Sequence, residues 1–281
     1  GYGSLSALTE GDSNTAIGRG AADAITTGAN NTVVGDSALG TATTATLNIV
    51  MGGDAMSAVP AGQAVTGVVA IGQNAAKGSA STTTGIDGTV AVGYSALTAL
   101  TTGAGNTAVG YNSGKLITTG ASNTIFGHGA MDATPVAAAS NVAIGTSAMG
   151  GASSGQTASD NNVAIGYQVM SAVLNDADNN TAIGYQSMLD LTTGDLNTCL
   201  GYRSGFNLTT GGTNVIIGGE AGYNLTTSSD NILIGKSAGN AIAAGQTTTD
   251  GTIAIGKNAL EALTSGAKNL AIGYSAASSL T

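Results

Sequence analysis

The chain has 281 residues, of which only 8% are charged, and 16 acids against 7 Lys and Arg leave a formal net charge of −9. An acidic balance of this kind repels phosphate backbones and excludes nucleic acid as a partner. Hydrophobic residues reach 42%, too many and too regularly placed for a disordered linker. At the same time 45 Gly, 8 Tyr, 2 Phe and no Trp exclude a globular core of large aromatic side chains.

One phrase recurs from end to end. Its anchoring glycines are Gly1, Gly18, Gly35, Gly52, Gly72, Gly93, Gly110, Gly127, Gly145, Gly166, Gly184, Gly201, Gly218, Gly235, Gly256 and Gly273. Most neighbours lie 17 residues apart and the rest 18, 20 or 21. A fixed period over the whole length is the mark of a solenoid. The reading is therefore an all-β parallel β-solenoid, or β-roll, of about sixteen coils of 17–21 residues, each with one short strand and a tight arc or helical turn. It is a single repeat array over 1–281, expected to be a stretch of a longer fibre. At one strand spacing per coil, about 4.8 Å, the array predicts a rod on the order of 75 Å long.

Within a repeat, the predicted strand comes first. The residue before each glycine is large and apolar, as at Ile17, Val34, Phe126, Ile144, Leu200 and Ile272, and the residue two earlier is Thr or aliphatic. The residue between them, such as Ala16, Val33, Ala143, Cys199 or Leu233, is apolar too. Side chains alternate along a strand, so both faces are apolar and both need cover. One face fills the coil. The other, taken to be the Ala16/Ala143/Cys199 face, calls for a second layer from another copy, and a parallel homotrimer is expected.

Four residues before the glycine stands Asn: Asn14, Asn31, Asn48, Asn106, Asn123, Asn141, Asn162, Asn180, Asn197, Asn214, Asn231 and Asn269. Val68, Thr89 and Thr252 replace it in longer repeats. Asn tolerates left-handed backbone and can bond to its copies above and below, so this position reads as a structural corner ladder. The glycine itself calls for positive φ or close backbone approach. Three residues after it the side chain is small; the next position collects Met56, Met131, Met149, Met170 and Met188, and three further on stand Leu8, Ile25, Leu100, Ile117, Val173, Leu191, Leu208, Leu225, Ile242, Leu263 and Leu280. These are core positions, and the methionines are filler rather than ligands. Cys199 is read the same way, as a small buried residue outside any disulfide framework.

The position directly after the glycine holds Tyr2, Tyr94, Tyr111, Tyr167, Tyr185, Tyr202 and Tyr274, and elsewhere Arg19, Asp36, His128, Lys236 or Lys257. Such a mixture requires exposure. Tyr offers a stacking face and a hydroxyl together, so this line is the candidate contact edge, for a receptor or for a neighbouring chain.

Chemistry is sought and not found. No Cys/His cluster, nucleophile elbow or phosphate loop is present, so neither a catalytic residue nor a cofactor or metal site is assigned and the chain is not expected to be an enzyme. The acids Asp12, Asp87, Asp160, Asp176, Asp178, Asp195, Asp230 and Asp250 gather in the turn before Asn; they are read as solvated turn residues, with weak Ca²⁺ binding as the other reading. Insertions fall between arc and strand at 61–67, 79–88, 151–160 and 243–251, at one corner. No apolar run reaches bilayer length and no signal-peptide pattern opens the chain, so no membrane insertion is expected.

The Asn-Thr-Ala-Ile-Gly strand of Asn14–Gly18 and Asn180–Gly184, and its variant at Asn141–Gly145, resembles the head repeats of YadA-like trimeric autotransporter adhesins and the repeat regions of phage tail-fibre proteins. The resemblance implies a left-handed, trimeric parallel β-roll. It departs from those heads in its longer period and in its arc. The expected function is a structural and adhesive fibre segment, extracellular, on a virion tail fibre or a bacterial surface. Its partners would be its own copies and a cell-surface glycan or protein receptor, bound multivalently. The alternatives are an ice- or surface-binding solenoid, suggested by Thr pairs such as Thr26-Thr27 and Thr192-Thr193, or a self-assembling extracellular filament without ligand.

Overall fold

A computed structural model describes residues 1–79, 83–133, 137–151, 158–242 and 249–280. It is an all-β parallel solenoid of about fourteen turns, somewhat fewer than the sixteen coils expected, with no α-helix among the described residues. Gly1 has no strand before it, so sixteen anchors yield fifteen strands among the described residues, and fifteen strands enclose fourteen turns. The chain divides into two compact units, Gly1–Ser140 and Asn141–Thr281.

In the first unit the strands are β1 (Thr15–Ile17), β2 (Thr32–Val34), β3 (Ile49–Met51), β4 (Val69–Ile71), β5 (Val90–Val92), β6 (Thr107–Val109) and β7 (Thr124–Phe126). In the second they are β8 (Val142–Ile144), β9 (Val163–Ile165), β10 (Thr181–Ile183), β11 (Thr198–Leu200), β12 (Val215–Ile217), β13 (Ile232–Ile234), β14 (Ile253–Ile255) and β15 (Leu270–Ile272). Within each unit, successive strands pair in parallel with matching repeat positions opposed, as Thr15 opposite Thr32 and Thr181 opposite Thr198. The arcs carry the same ladder: the Leu5 N–H donates to the Ala21 carbonyl at 3.1 Å, and the Met188 N–H to the Ser204 carbonyl at 3.0 Å. Stacking therefore satisfies backbone groups that a lone coil would leave open.

The arc is a pair of tight turns, not a helical one. The second and fourth residues after the glycine are left-handed, as at Ser37 (φ 54°) and Leu39 (φ 49°) or Gln186 (φ 52°) and Met188 (φ 48°). Such residues are incompatible with a right-handed helix. The anchoring glycines from Gly18 to Gly273 have φ between 126° and 143°. A Cβ on Gly184 would stand 2.2 Å from the Gly201 carbonyl oxygen, so both expected reasons for glycine apply.

The interior is the reverse of the expected one. The middle strand residue points inward, and Val33, Ala143, Ala164, Ala182 and Cys199 are buried under the chain's own arc. The Ala16/Ala143/Cys199 face needs no second chain. The larger residues on either side point out instead: Ile17, Met51, Phe126 and Ile272 are exposed, and Ile144, Ile165 and Ile183 are half-buried. Volume explains the choice. The arc fills the coil with Met149, Met170 and Met188, which leaves room only for Ala143, Ala164 and Ala182 opposite. In the second unit, where the strand side chain grows the arc residue becomes Gly: a Cβ on Gly205 would lie 2.9 Å from the Cys199 sulfur, and one on Gly239 2.9 Å from Leu233. The first unit does not follow this rule, since Ile125 stands with Met131 and Ala108 with Gly114. The methionine and Cys199 readings hold. Two core positions are corrected: Val173 is exposed and Leu174 takes its place, because the coil carries one extra residue there, and Leu280, in the last described coil, is exposed.

Candidate functional site

The Asn corner is a buried hydrogen-bond ladder. Asn197 donates its N–H to the Asn180 Oδ1 at 2.9 Å and its Nδ2 to the same oxygen at 3.1 Å and to the Gly211 carbonyl at 2.9 Å. Its own Oδ1 accepts the N–H and the Nδ2–H of Asn214, both at 3.0 Å. The pattern repeats at Asn14, Asn31 and Asn48, at Asn106 and Asn123, and at Asn214 and Asn231. At Val68 and Thr252 only the backbone donor survives, and the Thr89 and Thr252 hydroxyls find no partner. The left-handed residue is the one before Asn, as at Ser13, Asn179 and Leu196, and not the Asn itself. Stacking between coils, not turn geometry, is what the amide serves.

The tyrosine edge divides into stacks. In the first unit Tyr94, Tyr111 and His128 stack with centroids 5.2 and 5.1 Å apart. In the second, Tyr167, Tyr185 and Tyr202 stack at 5.3 and 5.4 Å. All five tyrosines are close to half exposed. Their faces are occupied by one another, so edges and hydroxyls face solvent, and an open ring face is left only where a stack ends. Tyr2 and Tyr274 stand apart from these stacks; Tyr274 lies under the Lys257 ammonium, 5.6 Å from its ring centroid.

Sequence reasoning missed a second row beside this edge. The Phe206 and Tyr223 rings stack at 5.0 Å, and the Arg203 guanidinium lies 5.3 Å from the Tyr202 centroid and 5.2 Å from that of Phe206. Gln186 donates to Gln168 at 2.9 Å and accepts from the Arg203 Nε at 3.1 Å. The signal was present in the 17-residue spacing of Phe206 and Tyr223.

The turn acids act as backbone caps for the preceding coil. Asp87, Asp178, Asp195 and Asp250 each accept the N–H of the matching residue one coil back, at 2.6–2.8 Å, and the Thr213 hydroxyl bonds Asp230. Among the described residues no group of three His, Cys, Asp or Glu is placed to hold a metal, and no helix is long and apolar enough to cross a membrane. The first Thr of each pair is committed in the same way: the Thr26, Thr101, Thr192 and Thr209 hydroxyls donate to carbonyls of the next coil at 3.0–3.2 Å. Of the four insertions, the segments 80–82, 152–157 and 243–248 lie outside the described residues.

Charges are few. Arg19 and Asp36 form an exposed two-armed pair, 3.0 Å from Nε and 2.7 Å from Nη2, and the hydrogen bonds from Arg19 hold the Asp36 carboxyl below its usual range. Partial burial raises Asp190 and Asp132. Burial pushes the Cys199 thiol far up.

Within each unit the strands also present an outward face. The first and last residues of β1 to β15 are Thr, Val, Ile, Leu, Met or Phe, without a single charge. Compared with protein-family models, with curated proteins and with solved structures, this chain finds no match.

Proposed function

We propose that the chain is a structural and adhesive fibre segment, working outside the cell on a phage tail fibre or a bacterial surface. In this reading three parallel copies pack their outward sheet faces together, in the left-handed roll that the repeat resemblance implies. The tyrosine edges stay outside and hold a cell-surface glycan or protein. The observation that carries the reading is the uncharged outward face. Thirty strand positions without one charge, in a chain that is otherwise acidic, make an apolar strip that monomeric proteins rarely expose. Copies of this chain fit it, because identical coils match identical coils along the whole strip and no charge is desolvated.

The described interior is filled by apolar side chains together with buried Asn, Ser and Thr, which favours a scaffold. Adhesion would come from number: weak contacts repeated along several chains add up to avidity. The test is a series from one to five Tyr→Ala changes at Tyr94, Tyr111, Tyr167, Tyr185 and Tyr202, scored for cell binding and for melting temperature. Each exposed stack contributes about 0.5–1.5 kcal/mol, so binding should fall steeply only with several changes. Binding that survives all five in a folded chain removes the edge from the site. Melting that falls with each change, with binding intact, makes the stacks structural.

A further inference from the structure

The stack of Tyr167, Tyr185 and Tyr202 stops at a gap. One coil on from Tyr202 the same row holds Gly219, and a Cβ there would meet nothing nearer than the Tyr202 carbonyl oxygen at 4.0 Å. The row resumes with Lys236, which is exposed. Two coil spacings, roughly 9–10 Å, therefore separate Tyr202 from Lys236 with only a glycine between. Beside this notch lies Arg203, steadied by Tyr202 and Phe206 and by its Nε bond to Gln186.

The charge arrangement is unusual for this chain. Only 7 of its residues are Lys or Arg, and the ion pair between Arg19 and Asp36 is the one found among the described residues. Arg203 and Lys236 have no acid partner there. Glu220, next to Gly219, stays beyond ion-pair distance of either. With its Nε bonded to Gln186, this guanidinium keeps its terminal N–H groups for a carboxylate or another planar acceptor. The end of an aromatic stack, a gap one side chain deep and a guanidinium set by Tyr202, Phe206 and Gln186 together describe a seat for a ring that carries a carboxylate.

We propose that the notch over Gly219 binds an acidic saccharide. The sugar ring lies over Gly219 beside Tyr202, and its carboxylate accepts from the Arg203 guanidinium. Lys236 closes the far side with a second positive charge, and Glu220 accepts from sugar hydroxyls. The proposal rests on the receptor-binding reading and gives that receptor a chemical class.

The full chain is titrated with a short oligogalacturonate and with the same oligomer after reduction of its carboxyls, followed by tyrosine fluorescence, which no Trp obscures. The acid form should bind saturably, and the reduced form at least about tenfold more weakly, the effect of one lost charge-assisted pair. Two variants isolate the notch. Gly219→Tyr fills it with the residue this row uses elsewhere, and Gly219 does not need positive φ, so the coil should fold. Arg203→Gln removes the charge. Both should lose about tenfold in affinity in a chain that still folds. Equal binding of the two oligomers, or full affinity in Gly219→Tyr, overturns the notch. So does failure of the native chain to bind the acid form. Cell adhesion of Gly219→Tyr tells this apart from the wider reading: adhesion that persists there but is lost in the five-tyrosine variant places the receptor on the edge and not in the notch.

Discussion

Asn197→Ala is the sharpest test of what holds the coils together. The substitution deletes two donated and two accepted side-chain hydrogen bonds. The N–H of residue 197 keeps its bond to Asn180. Three buried groups lose their partners: the Gly211 carbonyl, the Asn214 N–H and one Asn214 Nδ2–H. Each orphaned buried polar group costs about 1–3 kcal/mol, so a loss of roughly 3–9 kcal/mol is expected, before any water enters the space. Coils contact only their neighbours, so the loss should be local. The assay is amide hydrogen exchange by residue, with chemical denaturation beside it. Protection should drop around β10, β11 and β12 and stay near native at β1 and β2. The natural exceptions set the scale, since Val68 and Thr252 end the ladder yet keep the backbone bond. A cost below about 1 kcal/mol, or a uniform loss of protection, would refute the claim that the amide ladder joins the coils.

Three further outcomes follow from the same geometry. Gly184→Ala puts a Cβ 2.2 Å from the Gly201 carbonyl at φ 140°, so the strand spacing must open there; a melting curve indistinguishable from native contradicts this. Cys199 is buried, with its thiol pKa pushed up by desolvation, so a thiol-alkylating reagent should leave the native chain unlabelled and react only on unfolding. Rapid labelling in native buffer would show that the core is open. Folding raises the Asp190 pKa through burial, so the folded chain holds that proton more tightly and is penalised above the raised value. Asp190→Asn should therefore melt higher than native at neutral pH, and the advantage should vanish as pH falls through the raised value toward the ordinary 3.8; a gain that grows on acidification has the wrong sign.

Much of the fold was legible because each residue type is voted on many times. The strand before each glycine, the Asn corner and the buried methionines all rest on positions that recur with the period. The direction of the strand was not legible from apolarity, since both of its faces are apolar. In the second unit it could have been read from volume: Ala143, Ala164 and Ala182 pair with Met149, Met170 and Met188, while Cys199, Ile216 and Leu233 pair with Gly205, Gly222 and Gly239. Val173 was misplaced because counting from the glycine ignores where a coil takes up its extra residue. The left-handed arc positions accept Leu, Met, Gln and Arg, against their usual preference, so nothing in composition marks them. Arg203 was overlooked because its partners lie on different rows, which meet only once the arc is folded.

The central claim is that the outward, uncharged sheet face is a contact between copies of this chain. Light scattering on the purified chain measures it most directly, with Ile165→Lys/Ile183→Lys as the paired variant, since both side chains lie on that face. The account predicts a native mass three times the 26.8 kDa of one chain, falling toward a single chain when the lysines are present. A native chain that stays soluble and monomeric at high concentration, with the lysine variant behaving the same, would contradict it.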